Sequence, residues 1–328
     1  MHFNKILAIL SVLVVCTWGS SFFDEEWHAW KLKYGKTYVS VEEEESRRIA
    51  WEDNLHMVQK HNALADQGLS TFRMAMNHFA DLTSEKMKSR SCLFPTEHPV
   101  NLPKQTYSSH SNLPEHVDWR ELKCVTPAKQ QGICGSCWAF ATVGAVESRL
   151  CIKSKELVEL SEQQLVDCDS EDGGCCGGFP AYALLYAEMN GVMKAEDYEY
   201  TGKKMACSYN SDKALFLNAS KSYIMTGEQN MASSVALEGP ITVGFGVNHE
   251  FMLYHEGVFD GSCAPNMNHA IIIVGYGTET DDENGRQDYW IIKNSWGEEW
   301  GDSGFGKIKR NVNQCSISEM AATIDILG

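Results

Sequence analysis

The chain has 328 residues, 43% of them hydrophobic, and a formal net charge of −16 at neutral pH. This length is sufficient for a large buried core and for one or two domains. The strong negative charge argues against a protein that binds nucleic acid through the phosphates.

Residues 1–20 have the pattern of a secretory signal peptide. Lys5 precedes the apolar run Ile6–Cys16, and small residues follow. Eleven residues are too few to cross a bilayer, so no membrane span is expected. A chain on the secretory route can form disulfides, and the sequence Asn-Ala-Ser makes Asn218 a candidate glycosylation site.

A second block, residues 21–112, starts with aromatic residues and continues as a predicted helix. Over residues 41–62, apolar side chains at helical spacing form a broad stripe beside the acidic run Glu42–Glu45. Residues 89–111 contain three prolines and have no regular apolar period. This pattern predicts an extended segment without a fold of its own.

The third block, residues 113–328, has helical patterns in its first half and strand-like runs in its second half. The predicted helices and strands are, in chain order, Cys137–Leu150, Ser161–Val166, Pro180–Asn190, Ile241–Val247, His269–Tyr276, Tyr289–Lys293 and Phe305–Arg310. This order predicts an α+β protein with two lobes, and a cleft between the lobes is the expected site.

Cys137 is the candidate nucleophile because it lies where a Gly/Ser turn leads into an apolar helix. A thiol in the first turn of a helix is near the positive end of the helix dipole, which favours the reactive thiolate. His269, 132 residues later, is the candidate base, and Asn294 is the candidate that orients the imidazole. Gln131 could stabilise an oxyanion together with the Cys137 N–H. Trp296 could shield the bond between Asn294 and His269 from water.

Three segments resemble the nucleophile, histidine and asparagine motifs of the papain family of cysteine proteases, in the same order. They are QGICGSCWAF, NHAIIIVGYG and NSWGEEWGDSGFG, and Cys134–Trp138 matches the pattern C-G-[SA]-C-[WY]. Asn294 follows Cys137 by 157 residues, and the polar segment Thr278–Asp288 is predicted to be a surface insertion that lengthens this interval. The chain most resembles the cathepsin L branch, as a preproenzyme.

The second block resembles the inhibitory propeptide of this family. Its helix motif is matched by Glu43, Arg47, Trp51, Asn54, Val58 and Asn62, and a second motif by Asn77, Phe79 and Asp81. Ala75 stands where many members have glycine. The resemblance implies that the block folds against the mature domain and that its tail crosses the cleft opposite to a substrate. Acid is then expected to release it by weakening the carboxylate pairs that hold it.

The resemblance also implies a set of disulfides, which are Cys134–Cys175, Cys168–Cys207 and Cys263–Cys315. Cys124 and Cys151 could form a fourth. Cys92 and Cys176 could meet in the zymogen as a reducible link, and the alternative is an unpaired Cys176. Adjacent cysteines without a C-x2-C partner argue against a zinc site, so no metal and no cofactor are expected.

Substrate contacts are likewise implied by the resemblance. Gly177 and Gly178 present backbone groups to the substrate, and Trp296 belongs to the same substrate-binding set. The S2 subsite, which receives the second residue before the scissile bond, is lined by Phe179, Pro180, Gly244, Met267 and Met320. Because Met320 carries no charge, Leu, Val or Phe is expected at this subsite and Arg is not.

Alternative classes of function are a binding protein and a disulfide-rich structural protein. A catalytically silent relative would usually lack Cys137 or His269, and an inhibitor acting through residues 22–111 would leave the larger block unused. The resemblance therefore favours an endopeptidase of the lysosome or the extracellular space. Its expected partners are protein and peptide substrates, its own propeptide and cystatin-like inhibitors, and it is expected to be a monomer.

Overall fold

The computed structural model describes residues 23–83, 85–86, 101–107, 113–217, 220–281 and 285–326. The predicted signal peptide, Cys16, Cys92 and Asn218 lie outside the described residues. Residues 23–33 belong to helix α1. Further helices are α2 (Val41–Ala65), α3 (Cys137–Ser154), α4 (Glu162–Cys168), α5 (Pro180–Asn190), α6 (Glu228–Leu237) and α7 (His249–Met252). Within these ranges, no helix has the length and apolar character needed to cross a membrane.

The strands form one large sheet and a short separate pair. They are β1 (Phe72–Met74), β2 (Val117–Asp118), β3 (Val192–Met193), β4 (Ala214–Leu215), β5 (Lys221–Met225), β6 (Ile241–Phe245), β7 (Tyr254–Phe259), β8 (His269–Asp281), β9 (Gly285–Lys293), β10 (Phe305–Lys309) and β11 (Ala321–Asp325). The large sheet has the order β1-β7-β10-β9-β8-β6-β11-β5, with β2 paired to β8, and β3 pairs with β4. Long helices precede most of the sheet in the chain, so the predicted α+β class is confirmed.

Separate apolar cores stabilise the two lobes. Trp138, Leu165 and Leu184 belong to a core made mainly by helices α3, α4 and α5. A larger core on the sheet side includes Trp290 and Trp300. Helix α3 packs along β8, so its first residue is brought to the boundary between the lobes.

The N-terminal block folds around a cluster of aromatic side chains. Trp27 stacks on Trp30 with ring centroids 5.4 Å apart, and it meets the edge of Trp51 at 5.6 Å. Trp51 lies on α2, where it is only 2% exposed. At the end of the block, Asp81 accepts hydrogen bonds from Lys36 at 3.0 Å and Tyr38 at 3.2 Å. The aromatic cluster of the block is continuous with the apolar core on the sheet side, so the block is a small domain that shares its core with the rest of the protein.

This block also adds strand β1 to the edge of the large sheet. Strand β1 pairs antiparallel with β7, with Phe72 opposite Gly257. Gly257 has φ +85°, and a Cβ atom there would lie 2.3 Å from the Thr71 carbonyl oxygen. The close approach of the two backbones therefore requires glycine. The side chain of Asn77 donates to the Met252 carbonyl oxygen at 2.8 Å, which anchors the second propeptide motif.

Residues 101–107 contact the opposite edge of the same sheet. Gln105 N–H donates to the Ile224 carbonyl oxygen at 2.9 Å, and Ile224 N–H donates to the Pro103 carbonyl oxygen at 3.0 Å. These bonds fix the end of the extended segment against β5. Residues 87–100 lie outside the described residues, so the direction of the tail through the cleft stays a prediction.

The predicted insertion Thr278–Asp288 extends the β8–β9 hairpin. Thr278 pairs with Asp288, and the Thr278 hydroxyl donates to the Asp288 carboxylate at 2.6 Å. The added length therefore continues two paired strands away from the cores, and a register shift of this pair lies between Ile273 and Gly275, near the buried end.

Candidate active site

Cys137 is the first residue of α3 and is fully buried. The preceding residue, Ser136, does not cap the helix with its side chain, and its hydroxyl is hydrogen-bonded to the Tyr200 hydroxyl at 2.7 Å. The first-turn N–H groups thus donate no hydrogen bond to the Ser136 side chain, although the Ser136 carbonyl oxygen accepts from the Ala139 N–H at 2.9 Å. The Cys137 sulfur lies at the positive end of the helix dipole, which favours a negative charge there.

His269 and Asn294 are brought together from the start of β8 and the end of β9. The His269 Nε2–H donates to Asn294 Oδ1 at 2.8 Å. The Trp296 ring stacks on the imidazole with centroids 4.6 Å apart and covers this bond. The His269 Nδ1 is buried and has no hydrogen-bond partner among the described residues. The imidazole is therefore held by one nitrogen, and the other nitrogen carries the lone pair.

Burial controls the charge of the imidazole. It lowers the pKa of His269 to about 4, and the hydrogen bond to Asn294 acts in the opposite direction. The imidazole is therefore neutral above about pH 4 in this structure. A neutral imidazole is the form that can accept a proton from a thiol.

Gln131 is oriented by two hydrogen bonds. Its Nε2–H donates to the Cys134 carbonyl oxygen at 2.9 Å, and its Oε1 accepts from the Ser295 hydroxyl at 2.6 Å. Gln131 N–H also donates to the Ser295 carbonyl oxygen at 2.9 Å. The loop before α3 and the residue after Asn294 are therefore fixed to each other.

A buried ionic cluster beneath this loop was not found by the sequence reasoning. Lys129 Nζ bonds the Glu147 carboxylate at 2.9 Å and the Glu162 carboxylate at 2.8 Å. Lys293 Nζ donates to the Thr126 hydroxyl at 2.6 Å, and burial lowers the pKa of Lys293 to about 8. The available signal was a lysine at the end of the otherwise apolar run Tyr289–Lys293, which leads directly to Asn294.

Several of the expected subsite residues lie in one apolar cluster with Cys137. This cluster includes buried Met320 and Ala270, and Phe179 and Met267 pack against it. Gly244 is held next to this cluster, since its N–H donates to the Met320 carbonyl oxygen at 2.8 Å. The expected substrate-binding set has three remaining members. Gly177 and Gly178 are buried in the loop that ends at Phe179, and Pro180 is buried directly after it.

The described residues form four disulfides, three of which are those implied by the family resemblance. They are Cys124–Cys151, Cys134–Cys175, Cys168–Cys207 and Cys263–Cys315. Neither Cys137 nor Cys176 is part of a disulfide, and Cys176 is exposed. The link between Cys92 and Cys176 stays untested because Cys92 lies outside the described residues.

Comparisons with known proteins agree with this arrangement. Residues 113–324 match the model of papain family cysteine proteases, and residues 27–87 match the cathepsin propeptide inhibitor domain. Cathepsin S of Bos taurus is 40% identical over 90% of this chain and 90% of the relative. Cathepsin K of Mus musculus is 39% identical over 91% of this chain and 92% of the relative.

Solved structures of precursors have the same fold. Digestive procathepsin L 3 of Tenebrio molitor superposes with a TM-score of 0.83 at 34% identity, covering 92% of this chain and 99% of that one. The recombinant stem bromelain precursor gives a TM-score of 0.83 at 29% identity, covering 93% and 99%. The predicted papain-like fold with its propeptide is confirmed. The chain belongs to the papain family of cysteine proteases and contains the propeptide that makes it a zymogen.

Proposed function

We propose that the mature domain is an endopeptidase in which Cys137 attacks the peptide carbonyl and His269 transfers the protons. The observation that carries this assignment is the buried imidazole held through Nε2 by Asn294, with no hydrogen-bond partner for Nδ1 among the described residues. Ala270, the residue after His269, lies in one apolar cluster with Cys137. A histidine held in this way has a defined tautomer and a free lone pair.

The first half of the reaction forms an acyl-enzyme. His269 Nδ1 takes the thiol proton, and the Cys137 sulfur adds to the carbonyl carbon of the substrate. The backbone N–H of Cys137 and the second side-chain N–H of Gln131 donate to the oxyanion. When the carbon–nitrogen bond breaks, the imidazolium gives its proton to the leaving amine, and a thioester remains.

The second half of the reaction hydrolyses the thioester and regenerates the enzyme. His269 removes a proton from water, which attacks the thioester carbon, and the sulfur leaves as a thiolate that the imidazolium stabilises. Once the thiolate exists, its charge favours the protonated imidazole and raises the pKa that burial has lowered. Trp296 keeps the hydrogen bond between His269 and Asn294 out of water.

Turnover of a peptide distinguishes an endopeptidase from a protein that only binds peptides. The processed protein is expected to hydrolyse a peptide amide that has Leu at the second position before the scissile bond, at about pH 5–6 with a reductant. An inhibitor or a silent relative would bind such a peptide without releasing the amine. Absence of amine release from fully processed protein with a free Cys137 thiol would contradict the proposal.

We expect the S2 subsite to prefer Leu, Val or Phe, because Met320 is buried in the apolar cluster around Cys137. The variant Met320→Glu places a carboxylate there and is expected to raise kcat/KM for Arg at this position about 10- to 100-fold. A peptide library that varies this position measures the change. The variant Met189→Glu, at a 64% exposed methionine of α5, is the matched control. A wild-type preference for Arg would contradict the assignment.

The propeptide is held to the mature domain mainly by hydrogen bonds and apolar contacts. Among the described residues, two ion pairs cross this boundary, Arg73 with Glu256 and His78 with Glu299, each at 3.9 Å. Both glutamates are more than half exposed, so these pairs are weak. The expectation that acid acts chiefly through carboxylate pairs is therefore supported only in small part.

A buried histidine offers a stronger route to acid release. His249 Nε2–H donates to Oδ1 of Asn54, a propeptide residue that is 2% exposed, at 2.6 Å. Burial lowers the pKa of His249, and the neighbouring Glu250 opposes this effect. Because the docked state favours neutral His249, docking is strongest above the ordinary histidine pKa and weakens as pH falls below about 6.5.

The variant His249→Gln is expected to keep the hydrogen-bond donor and to lose this part of the pH response. Each unit by which docking lowers the histidine pKa corresponds to about a tenfold loss of docking strength in acid. Hydrogen exchange of α2 in the Cys137→Ala zymogen, compared at about pH 7 and pH 5, measures the effect. Equal acid responses in the two proteins would exclude His249 as the sensor.

We further propose that the enzyme follows the secretory route to lysosomes or the extracellular space, as a monomer that cystatin-like inhibitors can bind. The support for this route is the signal-like N-terminus together with four disulfides, which form and persist in oxidising compartments.

A further inference from the structure

Two buried carboxyl groups lie in the loop that follows α4 and leads to the expected substrate-binding residues. Asp169 is 2% exposed and Asp172 is 6% exposed. Asp169 Oδ1 accepts from the Glu171 N–H at 3.0 Å, and Asp172 Oδ1 accepts from the Phe179 N–H at 2.7 Å. The Oδ2 atoms of both aspartates are buried and have no hydrogen-bond donor among the described residues.

Two buried carboxylates are costly unless a cation or a proton compensates their negative charge. Neither aspartate forms an ion pair with a lysine or arginine in the part of the chain that the structure describes. Their side chains interact with each other, and both orphaned oxygens are acceptors when ionised. A single proton between the two groups removes one charge and supplies the missing donor.

The surroundings decide which aspartate carries this proton. Burial raises the pKa of Asp172 to about 8, and the charge of Asp169 adds to the effect. Burial also raises the pKa of Asp169, but the Glu171 N–H stabilises its charged form. Asp172 is therefore the acid and Asp169 the carboxylate of the pair.

Other titratable groups face the pair from the elements around it. Glu171 is exposed in the same loop and disfavours ionisation of both aspartates. Tyr186 on α5 interacts with Asp169, and burial raises the pKa of this tyrosine. The aliphatic part of Lys204 approaches the loop at Gly174. The charge of Glu171 is negative, which also favours retention of one proton by the pair.

Asp172 holds the backbone that the proposed function assigns to substrate binding. Its bond to the Phe179 N–H fixes the end of the segment 177–179. At Gly178, an added Cβ atom would lie 2.7 Å from Asp172 Oδ1 and 2.6 Å from the Trp138 ring. The segment therefore packs closely between the carboxyl group and the ring, and it follows any movement of Asp172.

We propose that Asp169 and Asp172 share one proton as a carboxylic acid–carboxylate pair, and that this pair positions residues 177–179 for substrate binding. Asp172 Oδ2–H donates to Asp169 Oδ2, while Asp172 Oδ1 accepts from Phe179. Loss of the proton leaves two neighbouring carboxylates, which repel each other and displace the segment 177–179. The pair acts on the substrate through this segment, so the two aspartates are positioning residues. The inference rests on the proposed function, because only that function assigns the segment to substrate binding.

The dependence of KM on pH tests the positioning role in the processed enzyme. With a peptide amide that has Leu at the S2 position, wild-type KM is expected to rise about tenfold as pH passes about 8. In Asp172→Asn the amide donates permanently to Asp169, so KM is expected to stay level over this range. In Asp172→Ala the acceptor for Phe179 is lost, and KM is expected to be raised at every pH with a smaller change in kcat.

Glu171→Gln is the matched control, since it removes an exposed carboxylate from the same loop. It is expected to retain the alkaline rise in KM. A rise in Asp172→Asn equal to that of the wild type, or loss of the rise in Glu171→Gln, would overturn the proposal.

A second measurement is independent of activity. In the Cys137→Ala zymogen, the infrared difference spectrum between about pH 6 and pH 9.5 should show the loss of a protonated carboxyl band. The further change Asp172→Asn should weaken this band by one carboxyl group, because buried Glu162, whose pKa burial raises to about 7, contributes to the band in both proteins. A band that is unchanged in Asp172→Asn would overturn the shared proton. If the wild-type enzyme hydrolyses no peptide while Asp172→Asn weakens the band, the proposed function fails and the proton-sharing pair stands.

Discussion

Replacing Cys137 by alanine is expected to lower peptide hydrolysis by about 10⁵-fold or more, because the nucleophile and the proton donor of the first step are lost together. The full-length chain should also stop processing itself and accumulate as the zymogen. Hydrolysis of a peptide amide by protein processed with an added protease measures the first effect, and gel mobility in acid measures the second.

Cys176 provides the control for this experiment. It is the other cysteine among the described residues that forms no disulfide, and it is exposed. The variant Cys176→Ala is expected to retain full hydrolysis and normal processing. Substantial hydrolysis by Cys137→Ala, or its loss in Cys176→Ala, would mean that the nucleophile has been assigned to the wrong thiol.

Trp51→Ala is expected to destabilise the propeptide by about 3–5 kcal/mol, since it removes a large buried ring from the aromatic cluster. Trp51 meets the Trp27 ring edge-to-face and is 2% exposed. A small block buries few apolar side chains, so loss of the Trp51 ring is expected to unfold the propeptide locally and to uncover the cleft at neutral pH.

Urea unfolding of the Cys137→Ala zymogen measures this change without self-processing. Ile49→Ala is the matched control on the same helix, because Ile49 is 64% exposed. It is expected to change stability by no more than about 0.5 kcal/mol. Equal effects of the two variants would show that the aromatic cluster is not the source of propeptide stability.

Together these variants separate chemistry from inhibition. Cys137→Ala removes hydrolysis while the propeptide stays docked, whereas Trp51→Ala leaves the reactive groups in place and weakens the domain that is proposed to cover them. His249→Gln changes only how docking responds to acid. Each of the three variants is therefore expected to change a different measurement, namely peptide hydrolysis, urea unfolding or the acid response of hydrogen exchange.

The sequence alone was sufficient to predict those features that depend on local pattern. The turn before Cys137, the apolar run after His269 and the helical spacing of the propeptide are short-range signals, and the structure has a helix, a strand and a helix at these positions. Local spacing determines backbone conformation directly because side chains three or four residues apart share a helix face.

The sequence was less informative about the contacts that orient the site. The Ser295 hydroxyl that holds Gln131 is 164 residues away from it, and β1 of the propeptide finds its partner β7 across a similar distance. The hydrogen bond from His249 to Asn54 likewise joins two segments that no motif connects.

By itself, then, the sequence determined the protease family, the α+β class and the identity of the candidate reacting groups. Only the tertiary structure decided which polar groups lose their water. Asp169 and Asp172 look like ordinary surface residues of an acidic loop, and Lys293 looks like the end of a strand. Burial makes each of them a chemically distinct group, because the cost of an ionised side chain depends on the solvent and partners that the whole fold leaves to it.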